Sequence, residues 1–294
     1  MKNKWIQYAA LVLTVFGFIS VSLFPIQTQA QKSEIHPKEQ KSETSKKYQG
    51  DELRCTEHKD NDWLESQCEI KEQTLPSNGE TIAVDGLEHG GIRIKGGDRN
   101  DILVRARVKV GAKSAAEARE LINQVKIETG GLKIRAVGPP FILRRAEWNV
   151  EYEIFVPRRS NLSLQTLNGG ISIANMHGQI DFKSSNGGAI LRGLGGNVRG
   201  YVVNGGLYVS LEGERWIGEG MDVMTDNGGV ILHLPENYSA RLVTGTKSGP
   251  LQLKMPIKAP NYSVGDQMLS TDLGAGGATV RVISNNGNVV VKHP

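Results

Sequence analysis

The triplet Asn-Gly-Gly occurs at Asn168-Gly169-Gly170, Asn186-Gly187-Gly188, Asn204-Gly205-Gly206 and Asn227-Gly228-Gly229. After each Asn, apolar residues stand three and five positions on: Ile171 and Ile173, Ala189 and Leu191, Leu207 and Val209, Val230 and Leu232. Alternation with period two behind a tight turn marks a short strand with one inward face. The triplets begin 18, 18 and 23 residues apart, a period that suits coils of short strands stacked on one another. The chain is therefore expected to be all-β or mainly β, a Gly-rich β-solenoid or β-helix-like repeat with one short helix in its N-terminal half. The same rule holds at Ser248-Gly249, with Leu251 and Leu253, and at Asn286-Gly287, with Val289 and Val291. A second strand per coil should start eight residues before the next Asn, with Ile180 and Phe182, Val198, and Met221 and Val223 pointing inward.

Asn tolerates positive φ and glycine adopts it without a steric cost, so the triplets read as structural turns. Stacking would let equivalent Asn side chains bond from coil to coil. The wider 227 spacing places an insertion at 212–218 (EGERWIG), and insertions in stacked coils leave as loops that commonly carry binding function. Trp216 lies in it.

Upstream of the repeats, strands are expected at 81–84, 91–95, 102–110, 132–136 and 148–156. In the third of these Arg105, Arg107 and Lys109 should form a solvated face. A helix is expected over 115–125, with Ser114 as N-cap, Glu117 closing a capping box, and Ala118, Leu121, Ile122 and Val125 as its apolar stripe. It is the candidate cap, packed on the sheet or over an open end.

The first thirty residues read as an export signal: Lys2 and Lys4, an apolar run from Tyr8 to Phe24, and Thr28-Gln29-Ala30 before a cut at Gln31. A retained anchor is the alternative. Residues 31–50 are nearly all polar and form a linker. The organisation expected is signal 1–30, linker 31–50, N-terminal strands with disulfide segment and capping helix 51–160, and repeats 161–294, with 51–294 forming one domain. An exported chain, periplasmic or at the cell surface, permits a disulfide, and its two cysteines, Cys55 and Cys68, are read as one local bridge worth about 3 kcal/mol. Two free thiols or a metal pair are the rival reading, which no Cys-x-x-Cys spacing accompanies.

Removing the signal would take away two lysines and no acids from a chain of net charge +4, leaving +2. Near-neutral charge with scattered basic residues offers no footprint for nucleic acid and no polybasic membrane patch. The six histidines fall in no zinc spacing, and no cofactor or metal is expected. Asp181, Asp222 and Asp226 are the carboxylates a polysaccharide lyase or hydrolase of this architecture would use. Arg199 at the equivalent position between Asp181 and Asp222 points instead to a cross-coil charge ladder. The binding alternative gathers Arg199, Tyr201, Tyr208 and Trp216 into a face for a glycan or protein of the cell envelope. A purely structural protein that self-associates through its coil ends, with 289–291 as the terminal strand, is a third reading.

Several blocks in order, CEIKEQTLP, GGIRIKGGDRNDILVRARV, SAAEAREL, YEIFVPRRSNLSL, the Asn-Gly-Gly series, GGNVRG and LPENYSA, resemble the bacterial putative adhesin family, domains of unknown function built as Gly-rich β-solenoids. The likeness covers nearly all of 51–294. It implies an extracytoplasmic, non-enzymatic adhesin or scaffold and brings no catalytic residues. His89 in place of Asn, Ser248-Gly249-Pro250 and Asn288 depart from the repeat.

Overall fold

The computed structural model describes residues 53–55, 64–140, 146–259, 262, 265 and 267–294. The expected signal 1–30 and linker 31–50 lie outside the described residues. The described residues all belong to one unit, Ser45–Pro294.

The N-terminal part runs β1 (Glu65–Pro76), β2 (Ile82–Asp85), β3 (Ile92–Gly97), β4 (Asp101–Ala112), α1 (Ala115–Gln124), β5 (Lys126–Glu128), β6 (Lys133–Val137) and β7 (Ala146–Pro157). The repeat region continues with β8 (Leu162–Asn168), β9 (Ile171–Ala174), β10 (His177–Asn186), β11 (Ala189–Arg192), β12 (Gly195–Asn204), β13 (Leu207–Ser210), β14 (Gly220–Asn227) and β15 (Val230–His233). It ends with β16 (Ala240–Ser248), β17 (Leu251–Leu253), β18 (Met268–Leu273), β19 (Thr279–Asn286) and β20 (Val289–Lys292). The chain is mainly β, as its alternation requires.

The strands form two ten-stranded sheets. Sheet 1 has the order β1-β4-β7-β3-β9-β11-β13-β15-β20-β17, and sheet 2 the order β18-β16-β19-β14-β12-β10-β8-β2-β6-β5. Neither sheet closes on itself: β1 and β17 are the edges of one, β18 and β5 of the other. The chain passes from sheet 2 to sheet 1 at every Asn-Gly turn. Register is kept across the turns, Asn168 pairing with Asn186, Asn186 with Asn204 and Asn204 with Asn227 in sheet 2. Ile171, Ala189, Leu207 and Val230 pair in the same way in sheet 1.

Sequence order and spatial order part company at the C-terminus. β19 pairs in parallel with β14 on one side and β16 on the other, and β20 with β15 and β17. The last coil in sequence is thus wedged between two earlier ones. The expectation that 289–291 forms a terminal strand is corrected: Val289 and Val291 are fully buried, and the outermost strands at that end are β17 and β18.

The inner faces of the two sheets share one apolar core that includes Ile173, Leu191, Val209 and Leu232 from sheet 1 and Leu164, Phe182, Val223 and Val282 from sheet 2. Burying each such side chain contributes about 1.5–3 kcal/mol. Gly200 occupies one inward position in register with Phe182. A Cβ there would stand 2.0 Å from the Phe182 ring, so the large residue on one coil fills the space its neighbour leaves.

The triplets are turns, but for a different reason than positive φ at Asn: among the described residues only Leu87, Leu132 and Asn175 are non-glycines with positive φ. Stacking demands glycine at the position after Asn, and at Gly187 and Gly287 a φ of 153 demands it as well. A Cβ on Gly187 would lie 2.3 Å from Gly169 O, one on Gly228 2.1 Å from Gly205 O, and one on Gly287 2.3 Å from Gly228 O. The following position is looser, a Cβ meeting its neighbour at 2.7 Å on Gly188 but only at 3.1 and 3.3 Å on Gly206 and Gly229, and Asn288 and Pro250 take that place in the two last coils. The Asn side chains form the expected ladder, Asn186 donating to Asn168 Oδ1 at 2.9 Å, Asn204 to Asn186 at 2.9 Å and Asn227 to Asn204 at 3.1 Å.

Two residues before the Asn a buried hydroxyl secures the turns at Asn168, Asn186, Asn227 and Asn286, while Val202 takes that place before Asn204. Thr166, Ser184, Thr225 and Ser284 donate to Gly90, Gly187, Gly205 and Gly228 carbonyls at 2.7–2.8 Å. Narrow turns bury these carbonyls, and an unmet one would be costly.

The helix forms where capping and stripe place it. Ser114 Oγ accepts from Glu117 N at 3.3 Å, and Ala118, Leu121 and Ile122 are its buried face, packed against β1 and β4. Lys71 of β1 donates to the Ile122 and Val125 carbonyls at 3.1 and 2.6 Å, meeting groups that a helix C-terminus leaves unpaired.

Cys55 and Cys68 are bridged, which fastens Leu53–Cys55 across the outer face of sheet 1. There Glu153 is fully buried. It receives Lys95 at 2.9 Å, Arg105 at 3.2 Å, Arg93 at 3.3 Å and the Leu53 amide at 3.3 Å. Burial pushes this carboxyl up, but the Lys95 and Leu53 hydrogen bonds, the Lys95 charge and Arg93 together hold it below the ordinary glutamate range. The expected solvated arginine face is accordingly corrected. Arg105 and Arg107 are only 16% and 19% exposed in their side chains, paired with Glu72 and Glu153 and with Glu151.

Candidate functional site

Outward positions of sheet 2 form rows that cross the parallel strands at right angles. One row reads Ser163, Asp181, Arg199, Asp222, Arg281, and the next Gln165, Lys183, Tyr201, Met224. Neighbouring members stand about 4.8 Å apart, the spacing of hydrogen-bonded strands. Between the rows lies an open groove of about 450 Å3, with Gln165, Asp181, Lys183, Arg199, Tyr201 and Asp222 in its wall.

The groups in this groove are held from their outer ends. Asp222 pairs with Arg281 at 2.5 Å, Asp181 accepts from Gln179 at 3.3 Å, and Gln165 donates to Asp85 at 2.9 Å. Tyr201 donates its hydroxyl to Asp226, whose other oxygen accepts from Asn285 at 2.6 Å. The Tyr201 hydrogen bond, then that of Asn285, keeps the Asp226 carboxyl below its ordinary range, and the same bond raises Tyr201. Arg199, exposed between two aspartates, presents a planar fork of donors suited to paired hydroxyl or carboxylate oxygens. Register places Asp181, Arg199, Asp222 and Arg281 in one row, as the expected cross-coil ladder requires, and the ion pair within it is Asp222–Arg281.

Two of the four residues expected on one binding face lie elsewhere. Tyr208 is on β13, in the other sheet, where it stands in a row with Ile190, Ile231 and Val290. Arg192 lies over its ring at 5.0 Å and His233 meets it at 5.0 Å between centroids. Burial first, then Lys292 and Arg192, hold His233 below the usual histidine range. Trp216 is not a surface residue. It is 5% exposed, and its indole donates to Gly196 O at 3.0 Å, because the insertion folds back into the corner between β13 and β14. That leaves Arg199 and Tyr201 together and separates the other two from them.

Sequence reasoning missed Gln165 and Lys183, which are ordinary polar strand residues until register sets them beside Arg199 and Tyr201. Among the described residues no three His, Cys, Asp or Glu side chains are grouped to hold a metal ion, and no helix there is long and apolar enough to cross a membrane.

No family model matches the chain, and no curated protein matches it. Solved structures resemble it weakly. A putative cell adhesion protein from Clostridium sporogenes is 11% identical with a TM-score of 0.42, covering 78% of this chain and 100% of its own. A putative adhesin from Bacteroides fragilis is 8% identical with a TM-score of 0.39, covering 77% and 97%. A putative lipid binding protein from Parabacteroides distasonis is 10% identical with a TM-score of 0.33, covering 76% and 97%. At these scores none of the three bears on the function argued below.

Proposed function

We propose that this is an exported, non-enzymatic protein of the cell envelope, an adhesin or scaffold whose coils stack as a Gly-rich β-solenoid and present the outer face of sheet 2 to a glycan. The observation that carries this reading is the groove itself, where Gln165, Asp181, Arg199 and Asp222 stand on a rigid parallel ladder beside the Tyr201 ring. Planar donors and acceptors next to an aromatic ring suit the hydroxyls and apolar faces of sugars. Export is supported by the Cys55–Cys68 bridge, a bond that persists in oxidising compartments.

A lyase or hydrolase in the same groove is disfavoured by the state of its carboxylates. A general acid is made by shielding a carboxyl from water, whereas Asp222 is exposed and tied to Arg281 and Asp181 is only half-buried. Self-association is the second reading, favoured by the unpaired outer edges of β17 and β18.

The test is capture of partners from intact cells with the mature domain, read by mass spectrometry and by glycan array. A glycan bound by the protein and lost in Arg199→Ala and Tyr201→Ala supports the assignment. Unchanged binding in those variants removes this face, and recovery of the protein with itself alone moves the role to self-association.

A further inference from the structure

In the groove of sheet 2 the carboxylates are largely spent. Asp222 is paired with Arg281 at 2.5 Å, and Asp181 accepts from Gln179 at 3.3 Å. Just beyond the wall, Asp226 is shared by Tyr201 and Asn285, and Asp85 by the Leu87 amide and Gln165. The cations of the wall are not spent. Lys183 and Arg199 are both exposed, and among the described residues neither makes an ion pair or a side-chain hydrogen bond.

Register brings these two cations together. Arg199 has an aspartate on each side in its row, but Asp222 turns to Arg281 and Asp181 to Gln179. Lys183 stands opposite Tyr201, diagonal to Arg199 on the neighbouring strand, so their Cα atoms are about 8 Å apart by strand spacing and rise. Both side chains are long enough to close on one group between them. Tyr201 has given its hydroxyl to Asp226, which leaves its ring, with Met224 opposite it on the next strand, as an apolar surface beside the pair.

Lys and Arg side chains offer several donors and no acceptor, so the ligand that matches what is unspent here brings acceptors and negative charge. A neutral sugar, whose hydroxyls donate as well as accept, would leave both cations unanswered. A carboxylate presents two oxygens in a plane to the planar Arg fork, and the face of the sugar that bears it suits the Tyr201 ring. We propose that the groove recognises an acidic glycan of the uronate class, its carboxylate held between Arg199 and Lys183 and its ring against Tyr201. Arg199 supplies the paired hydrogen bonds, Lys183 adds a point charge, and Asp181 weakens the site by repulsion. This assignment rests on the glycan-binding role proposed above and names the class of glycan.

The test is an equilibrium titration of the intact protein at low salt with oligomers of galacturonate, glucuronate and mannuronate, each as free acid and as methyl ester, with dextran and dextran sulfate alongside. The ester keeps the sugar and removes the charge. For at least one uronate the free acid is expected to bind about thirtyfold tighter than its ester, about tenfold from the charge-assisted Arg199 bonds and about threefold from the exposed Lys183 charge. Arg199→Gln should cut that preference to about threefold and Lys183→Gln to about tenfold, while Asp181→Asn should raise it about threefold. Added salt should shrink it. Acid and ester bound alike, a preference that both Gln variants leave intact, or binding of dextran sulfate alone overturns the uronate assignment. If acid and ester bind alike and Tyr201→Ala loses both, the groove still holds a glycan and only the acidic class falls; silence from every probe removes both.

Discussion

Asn286 donates its side-chain amide to Asn227 at 3.3 Å although the two lie 59 residues apart, and Ser248, whose turn comes between them in the sequence, pairs on the far side of Asn286. The ladder follows space and not chain order. A coil that the chain makes last is therefore an interior coil, with strand partners on both sides in both sheets.

Removal of 279–294 should act like excision from the middle of the stack. The shortened protein is expected to lose a single cooperative urea transition, whereas trimming an end coil would only lower its midpoint. Hydrogen exchange gives a second readout: the β19 and β20 amides should exchange as slowly as those of β12, although they end the chain.

At Gly228, where no positive φ is involved, stacking distance sets the need for glycine, and a pair of adjacent substitutions tests it. Gly228→Ala puts a methyl 2.1 Å from the Gly205 carbonyl and Gly229→Ala puts one 3.3 Å from that of Asn288. The first should cost about 2 kcal/mol or more and the second well under half of that, read from urea midpoints.

Much of this was legible in the sequence because a period-two pattern after each triplet leaves one solution for which side faces inward. Ile171 and Ile173, Leu207 and Val209 and their equivalents are buried as the alternation required, and the helix begins at its Ser114 cap. Trp216 was misplaced because an insertion's length is visible in a sequence and its direction is not. The order of the last two coils was hidden for a related reason. The turns at Ser248 and Asn286 follow one rule, and nothing local tells which of them stacks on Asn227. Glu153 lies on an outward position that alternation assigns to solvent, and it is the disulfide-fastened Leu53–Cys55 segment that covers it.

Trp216→Ala should destabilise the fold by about 3–5 kcal/mol, as for a large core residue. Tyr201→Ala, on the outer face, should stay within about 1 kcal/mol. Thermal unfolding of the two side by side checks the assignment, and equal losses would put Trp216 back on the surface.

Glu153 makes stability acid-sensitive. Its folded carboxyl lies below the ordinary range, so its contribution is fully present above the unfolded value near pH 4.3 and is lost as pH falls through the lower folded value. Glu153→Gln leaves Arg93, Lys95 and Arg105 without their shared anion and should cost about 3 kcal/mol at pH 7. Urea midpoints from pH 7 to pH 3 should fall less steeply in the variant than in the unmodified protein.

The most direct measurement of the binding account is site-specific photo-crosslinking on intact cells, with a photoreactive residue at Lys183 in the groove of sheet 2 and, in a second protein, at Gln252 on the edge strand of sheet 1. The account predicts a discrete envelope adduct from position 183 that disappears in Arg199→Ala, and none from position 252. Adducts from 252 alone, or an adduct at 183 indifferent to Arg199, would contradict it.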